Sequence, residues 1–86
     1  MAEIEMKVKH IKAAKSFSDA KNCPLANAAR DVFGDNFDRV LGTNALHTKQ
    51  GILNVVPSYG IMEYNQDRAY ATLLPNDEQV IRKFTV

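Results

Sequence analysis

The sequence has a single cysteine, Cys23, and almost no net charge, with 11 lysines and arginines against 10 aspartates and glutamates. One cysteine cannot form an intrachain disulfide, which is typical of proteins kept in a reducing cytoplasm. A net charge of +1 argues against a general nucleic-acid binder, because such domains are usually strongly basic. We therefore expect a cytoplasmic protein that does not bind nucleic acids in general.

Long apolar runs are also missing from the sequence. No run approaches the roughly 20 residues that a membrane-spanning helix needs. Residues 1–9 lack the apolar centre of a signal peptide. The sequence therefore predicts no membrane partner.

Groups that could hold a metal ion are few and badly spaced. The lone cysteine with His10 and His47 does not supply the three or four ligands of a zinc site at workable spacing. Asp31, Asp35 and Asp38 lack the glycine and the terminal glutamate of a calcium loop. We expect no metal, no cofactor and no catalytic set of residues.

The best-marked element is a helix between Asn22 and Gly34. Asn22 is the predicted N-cap, and Pro24 is tolerated in the first turn because its missing N–H would have no helical partner. Gly34 ends the helix, since glycine adopts the left-handed conformation cheaply. One apolar stripe recurs at helical spacing: Leu25, Ala28, Ala29 and Val32. The alanines keep one side thin, so the helix can lie close against a sheet.

Strands are predicted on both sides of this helix. Residues 3–10 alternate between apolar and charged side chains, which indicates a half-buried strand. Phe17 is expected to hold the following polar loop to the core. Residues 39–48 and 52–56 are two further predicted strands. Residues 59–64 and 68–74 are rich in Tyr, Ile and Thr, which favours an antiparallel hairpin.

The end of the sequence predicts a short helix over residues 75–84. Asn76 and Gln79 have capping-box spacing, and two acids fall in the first turn. A terminal strand, with Val80, Phe84 and Val86 on one face, is the alternative. The predicted fold class is α+β, a small antiparallel sheet packed against one central helix with a short C-terminal helix. Its 86 residues suit a single small globular domain over residues 1–86.

Three stretches of the chain, in this order, resemble a group of small phage and prophage proteins. They are Lys7-Val8-Lys9-His10-Ile11, Asn22-Cys23-Pro24-Leu25-Ala26, and Leu74-Pro75 with Val80-Ile81 and Phe84. The group has no settled biochemical function, so the resemblance implies only a phage-borne accessory protein in a bacterial cytoplasm. Ala20 stands where such relatives often carry another cysteine, which argues against a Cys-x-x-Cys metal or redox pair here.

One cluster of lysines lies near the N-terminus. It is a candidate anion site for a nucleotide phosphate or an acidic partner, and a solvated strand face and loop is the alternative. Its members are Lys7, Lys9, Lys12, Lys15 and Lys21.

Three tyrosines and the cysteine complete the candidate residues. Tyr59, Tyr64 and Tyr70 lie on or beside the predicted hairpin, where they would suit an interface or a stacked base. Half-buried strand positions are the alternative for all three. Cys23 in the first turn of a helix is a possible reactive thiol, or a small buried residue that packs the helix start.

These residues leave three functions open. The leading hypothesis is a non-enzymatic protein that binds and inhibits a host (defence) protein through the tyrosine-bearing hairpin or through an oligomer built on it. The alternative is an oligomer that sequesters a nucleotide-like signalling molecule between subunits, using the lysines and tyrosines. The third is an enzyme with Cys23 as its nucleophile. An exposed sheet edge on so small a domain also favours a homo-oligomer, with a homodimer preferred.

Overall fold

The computed structural model describes residues 3–86. In chain order the elements are β1 (Glu3–Lys7), α1 (Val8–Ala13), α2 (Pro24–Phe33), a 3₁₀ turn (Gly34–Asn36), β2 (Phe37–Leu41), β3 (Ala45–Thr48), β4 (Gly51–Asn54), α3 (Ile61–Ala71) and β5 (Val80–Thr85). The predicted class is confirmed: the fold is α+β, with antiparallel strands, a central helix and a further helix, α3, nearer the C-terminus. The strands form two sheets, of two and three strands, rather than one.

The smaller sheet pairs the first strand with the last. β1 runs antiparallel to β5, with Ile4 opposite Phe84 and Met6 opposite Arg82. The predicted apolar face is confirmed, because Ile4, Met6 and Val8 are fully buried, but the strand predicted over residues 3–10 ends at Lys7. Val8 already belongs to α1, which continues directly from β1.

The larger sheet is a meander in the order β2–β3–β4. The strand predicted over residues 39–48 is two strands, because Gly42 adopts a φ of 69° and lets the chain reverse between them. Val40 and Leu46 lie on the buried face, and Leu53 of β4 lies opposite Leu46. The strand predicted over residues 52–56 is β4, which ends at Asn54.

α2 contacts α1, β1 and β2 and so occupies the centre of the fold. Leu25, Ala28 and Ala29 of the predicted stripe are buried, and the two alanines let the helix approach the strands closely. Val32, the fourth member of the stripe, is largely exposed at the end of the helix.

The predicted N-cap of α2 is wrong by one residue. Cys23, not Asn22, is the cap, and its Sγ accepts a hydrogen bond from the Ala26 N–H at 3.4 Å. Pro24 is the first helical residue, which places the cap immediately before it. Gly34 ends the helix as predicted, but its φ of 58° and ψ of −133° lie outside the predicted left-handed helical conformation, in a region that glycine reaches most easily.

The hairpin predicted over residues 59–74 is wrong, because most of this stretch is α3. Glu63 accepts a hydrogen bond from the Gly60 N–H at 3.0 Å and so satisfies a free donor at the helix start. Tyr64, Asp67 and Ala71 are the buried residues of α3, and their i, i+3, i+7 spacing places them on one helical face. The Tyr, Ile and Thr residues of this stretch favour a strand only in a suitable packing context. Here the buried face packs against α1 as a helix, and this contact overrides the strand propensity.

The helix predicted over residues 75–84 is also wrong, and the alternative strand is confirmed as β5. The Asn76 side chain accepts a backbone N–H within a turn instead of capping a helix. The carbonyls of Asp77 and Gln79 accept the N–H groups of Lys9 and Val8 at 3.0 and 2.9 Å. Residues 80–85 form a strand rather than a helix because the backbone groups of β1 need hydrogen-bond partners. Within residues 3–86, β5 is the only strand that supplies them.

Candidate functional site

Lys7 and Lys9 both form salt bridges with Glu78. Both ammonium groups contact the Glu78 carboxylate, at 3.1 Å for Lys7 and 2.8 Å for Lys9. The hydrogen bond from Lys9 holds the pKa of the Glu78 carboxyl below its usual range. The first N–H groups of α1 are already taken by carbonyls of residues 77 and 79. These two lysines therefore do not form an open anion site together.

Lys12 lies farther along, beside a groove between α1 and α3. We call it the α1–α3 groove and define it by Lys12, Lys15, Tyr64 and Arg68. Two adjoining cavities of about 290 and 320 Å³ share Lys15, Tyr64 and Arg68. The Arg68 guanidinium lies 5.8 Å from the centre of the Tyr64 ring. The structure thus brings Lys12 and Tyr64 together and adds Arg68, which the sequence analysis missed because its segment was assigned to a strand.

The three tyrosines do not share a surface. Tyr59 and Tyr64 are only 2% and 6% exposed, and their rings pack against Phe17 at centroid distances of 6.3 and 5.6 Å. The expected role of Phe17 in holding its loop to the core is confirmed. Tyr70 is about half exposed on α3. Tyr59 and Tyr64 are therefore core residues, but none of the three tyrosines lies on a strand, so the half-buried strand alternative is wrong. Tyr70 alone keeps an open face.

Tyr59 belongs to a buried polar network with Asp67 and Arg82. Asp67 Oδ2 accepts the Tyr59 hydroxyl at 3.1 Å and Arg82 Nε at 2.5 Å. Burial and the negative charge of Asp67 raise the pKa of Tyr59 well above its usual range. Within residues 3–86 no buried side-chain nitrogen or oxygen lacks a hydrogen-bond partner, which indicates a structural role for this network.

Cys23 is buried at the start of α2. Burial raises the pKa of its thiol, and the nearby Asp19 carboxylate acts in the same direction, although hydrogen bonds from Ala26 and Leu25 N–H oppose them. A thiol with a raised pKa holds less thiolate, and thiolate is the nucleophilic form. The geometry therefore fits the packing and capping role of Cys23.

His10 is a buried residue with both ring nitrogens occupied. Its Nδ1 accepts the Lys7 N–H at 2.8 Å, so the proton lies on Nε2, which donates to Asp31 Oδ2 at 2.6 Å. Neither nitrogen is free to exchange a proton with a substrate. His10 instead ties α2 to the junction of β1 and α1.

β4 lies at the edge of the larger sheet, and half of its backbone groups point away from β3. The Val55 N–H donates to the Asn44 carbonyl at 2.9 Å. Hydrogen-bonded pairs alternate along an antiparallel ladder, and Leu53 pairs with Leu46 in the same register. Ile52 and Asn54 are therefore the residues of β4 whose N–H and C=O groups face outward. Within residues 3–86, β4 pairs with no strand besides β3.

This edge is apolar and uncharged. Residues 51–56 read Gly-Ile-Leu-Asn-Val-Val and contain neither a charged residue nor a proline. Ile52 is 61% exposed and Val56 67%, whereas natural edge strands usually carry charges or prolines that discourage pairing. Thr85 of β5 exchanges two hydrogen bonds of 2.9 Å with Val56 and closes the edge at that point. We call the open part, Gly51–Asn54, the β4 edge.

The β4 edge is not among the sites predicted from the sequence, because it contains neither the charged nor the aromatic residues on which those predictions rest. The run of uncharged residues after Lys49 is the one feature of the sequence that points to this edge. The expected homo-oligomer rests on the general argument that a small sheet has an exposed edge, and that argument does not say which strand forms it.

Comparisons with protein-family models, with curated proteins and with solved structures found no match to this chain. Over residues 3–86, no helix is long and apolar enough to cross a bilayer. In the same part of the chain, no three His, Cys, Asp or Glu side chains are grouped so that they could hold a metal ion.

Proposed function

We propose that this chain is a non-enzymatic binding protein that engages and inhibits a host protein in a bacterial cytoplasm. The β4 edge is the binding surface, and the partner supplies a strand that pairs with it. The observation that carries the proposal is the outward-facing backbone of Ile52 and Asn54 on an uncharged, exposed edge.

Strand addition suits this edge for two reasons. The four outward N–H and C=O groups of Ile52 and Asn54 offer main-chain hydrogen bonds to an incoming strand. The exposed Ile52 side chain adds apolar surface that pairing removes from water, at about 25 cal/mol per Å².

Two further observations support this proposal. One favours binding over catalysis, and the other favours a host protein as the partner. The buried Cys23 thiol and the fully engaged His10 ring leave no activated nucleophile or free base between them. The resemblance of residues 7–11, 22–26 and 74–84 to small phage proteins supports a phage-borne protein that acts on its host.

The test compares capture of host proteins by three forms of the immobilised chain. Ile52→Lys places a charge on the β4 edge. Lysines on the edge strands of natural proteins discourage pairing with a strand of another chain. Met62→Lys is the matched control, since Met62 is also an exposed apolar residue but lies on α3. We expect wild type and Met62→Lys to retain the same host protein, and Ile52→Lys to retain at least about tenfold less.

Equal capture by all three forms contradicts the proposal. A second copy of the chain is the other candidate occupant of the β4 edge. Native mass spectrometry separates the two: a dimer in wild type that Ile52→Lys abolishes, together with no host protein retained, assigns the edge to self-association instead.

A further inference from the structure

We infer that the α1–α3 groove binds a small molecule that carries a phosphate or diphosphate group. The groove shares no residue with the β4 edge, so this inference stands apart from the proposed function. It differs from the site expected from the sequence, because Lys7 and Lys9 are paired with Glu78 and do not take part, whereas Arg68 joins Lys15 of the predicted cluster.

The charge of the groove is the first argument. Most cations of the chain contact a carboxylate, but within residues 3–86 neither Lys15 nor Arg68 has one within 4.0 Å. Both line the same two cavities, so two uncompensated positive charges converge on one hollow. A phosphate or diphosphate group supplies the missing negative charge and accepts hydrogen bonds from both side chains.

The fixed position of Arg68 is the second argument. Its guanidinium packs over the ring of Tyr64, which is itself buried, so part of the ordering cost of the long side chain is met before a ligand arrives. Tyr64 is thus a positioning residue for Arg68. Neutral donors stand beside the cations, since Ser16 and Asn65 line the larger cavity.

The size of the hollow sets the ligand class. Each cavity, at about 290 and 320 Å³, is near the lower end of the roughly 300–1,000 Å³ typical of small-molecule sites. Thr72 and Ala71 close the side nearer the end of α3. A small phosphorylated molecule fits such a hollow better than a polymer, which would need a longer basic track.

The test is titration calorimetry with inorganic pyrophosphate, with ADP and with adenosine, which lacks the phosphates. We expect pyrophosphate and ADP to bind wild type and adenosine not to bind. Lys15→Ala and Arg68→Gln should each weaken binding about tenfold, the effect of losing one hydrogen bond to a charged group. Raising the salt concentration should weaken it further.

Two control variants locate the site. Lys49→Ala removes another cation that has no carboxylate within 4.0 Å in residues 3–86, on the turn between β3 and β4, and should leave the affinity unchanged. Ile52→Lys should also bind pyrophosphate like wild type, which separates this inference from the β4 edge. No binding of pyrophosphate or ADP to wild type overturns the inference. Adenosine binding equal to that of ADP overturns it too, as does full affinity in folded Lys15→Ala.

Discussion

One carboxylate oxygen of Asp67 joins three parts of the fold. It accepts from Tyr59, which precedes α3, and from Arg82 of β5, while Asp67 itself lies on α3. A buried carboxylate is costly unless it is paired and hydrogen-bonded, and here both conditions are met. The network therefore fixes how the end of the chain packs, which sequence reasoning could not anticipate because the three residues meet only in the fold.

The hydroxyl of Tyr59 should contribute measurably to stability. Tyr59→Phe removes one hydrogen bond to the buried carboxylate and should lower the free energy of unfolding by about 1–2 kcal/mol at neutral pH. Urea unfolding followed by circular dichroism measures this. Tyr70→Phe is the control, since Tyr70 is exposed and its loss should leave the free energy of unfolding unchanged.

The same residue predicts a pH dependence. The pKa of Tyr59 is raised by burial and by Asp67, so the folded state keeps its proton where the unfolded state releases it. This part of the stability is present below about pH 10, the pKa of tyrosine in an unfolded chain, and is lost as the pH rises above it. The free energy of unfolding should fall more steeply above about pH 10 in wild type than in Tyr59→Phe. Parallel curves would count against a buried, carboxylate-bound hydroxyl.

At the scale of elements, the sequence predicts those helices and strands that are determined by residues close together in the chain. α2 carries its proline, its apolar stripe and its terminal glycine within a few residues, and β1 alternates clearly, so both were predicted. Residues 59–74 and 75–84 were assigned wrongly because long-range partners decide them. α3 needs α1 to bury Tyr64, and β5 needs β1 to pair Val80–Thr85.

Replacing Gln66 by glycine distinguishes the helix α3 from the predicted hairpin, because the change in the free energy of unfolding differs between the two. Gln66 is exposed in the middle of α3, whereas the hairpin would place it in a turn. Gln66→Gly should lower the free energy of unfolding by about 1 kcal/mol, because glycine is a poor helix former. In a turn, glycine would be neutral or favourable. Urea unfolding beside Gln66→Ala, which keeps the helix, measures the difference.

At the scale of the whole molecule, internal ion pairs leave little open charge. Lys7, Lys9 and Lys12 contact Glu78 or Asp77, so the lysine cluster seen in the sequence is mostly compensated by a turn far along the chain. The β4 edge and the α1–α3 groove are the two surfaces to which we assign binding. The uncharged run after Lys49 marks the segment of β4, but its place at the edge depends on strand order, and the α1–α3 groove depends on the packing of two helices.

Amide hydrogen exchange measures whether a partner strand pairs with the β4 edge. Exchange would be followed residue by residue in the free chain and in the complex with the captured host protein. The amides of Ile52 and Asn54 should exchange fast in the free chain and slowly in the complex, while the Val55 amide, bonded to the Asn44 carbonyl, should be protected in both. Unchanged fast exchange of Ile52 and Asn54 in the complex would contradict the proposed binding role of the β4 edge, because no strand would then be paired with β4.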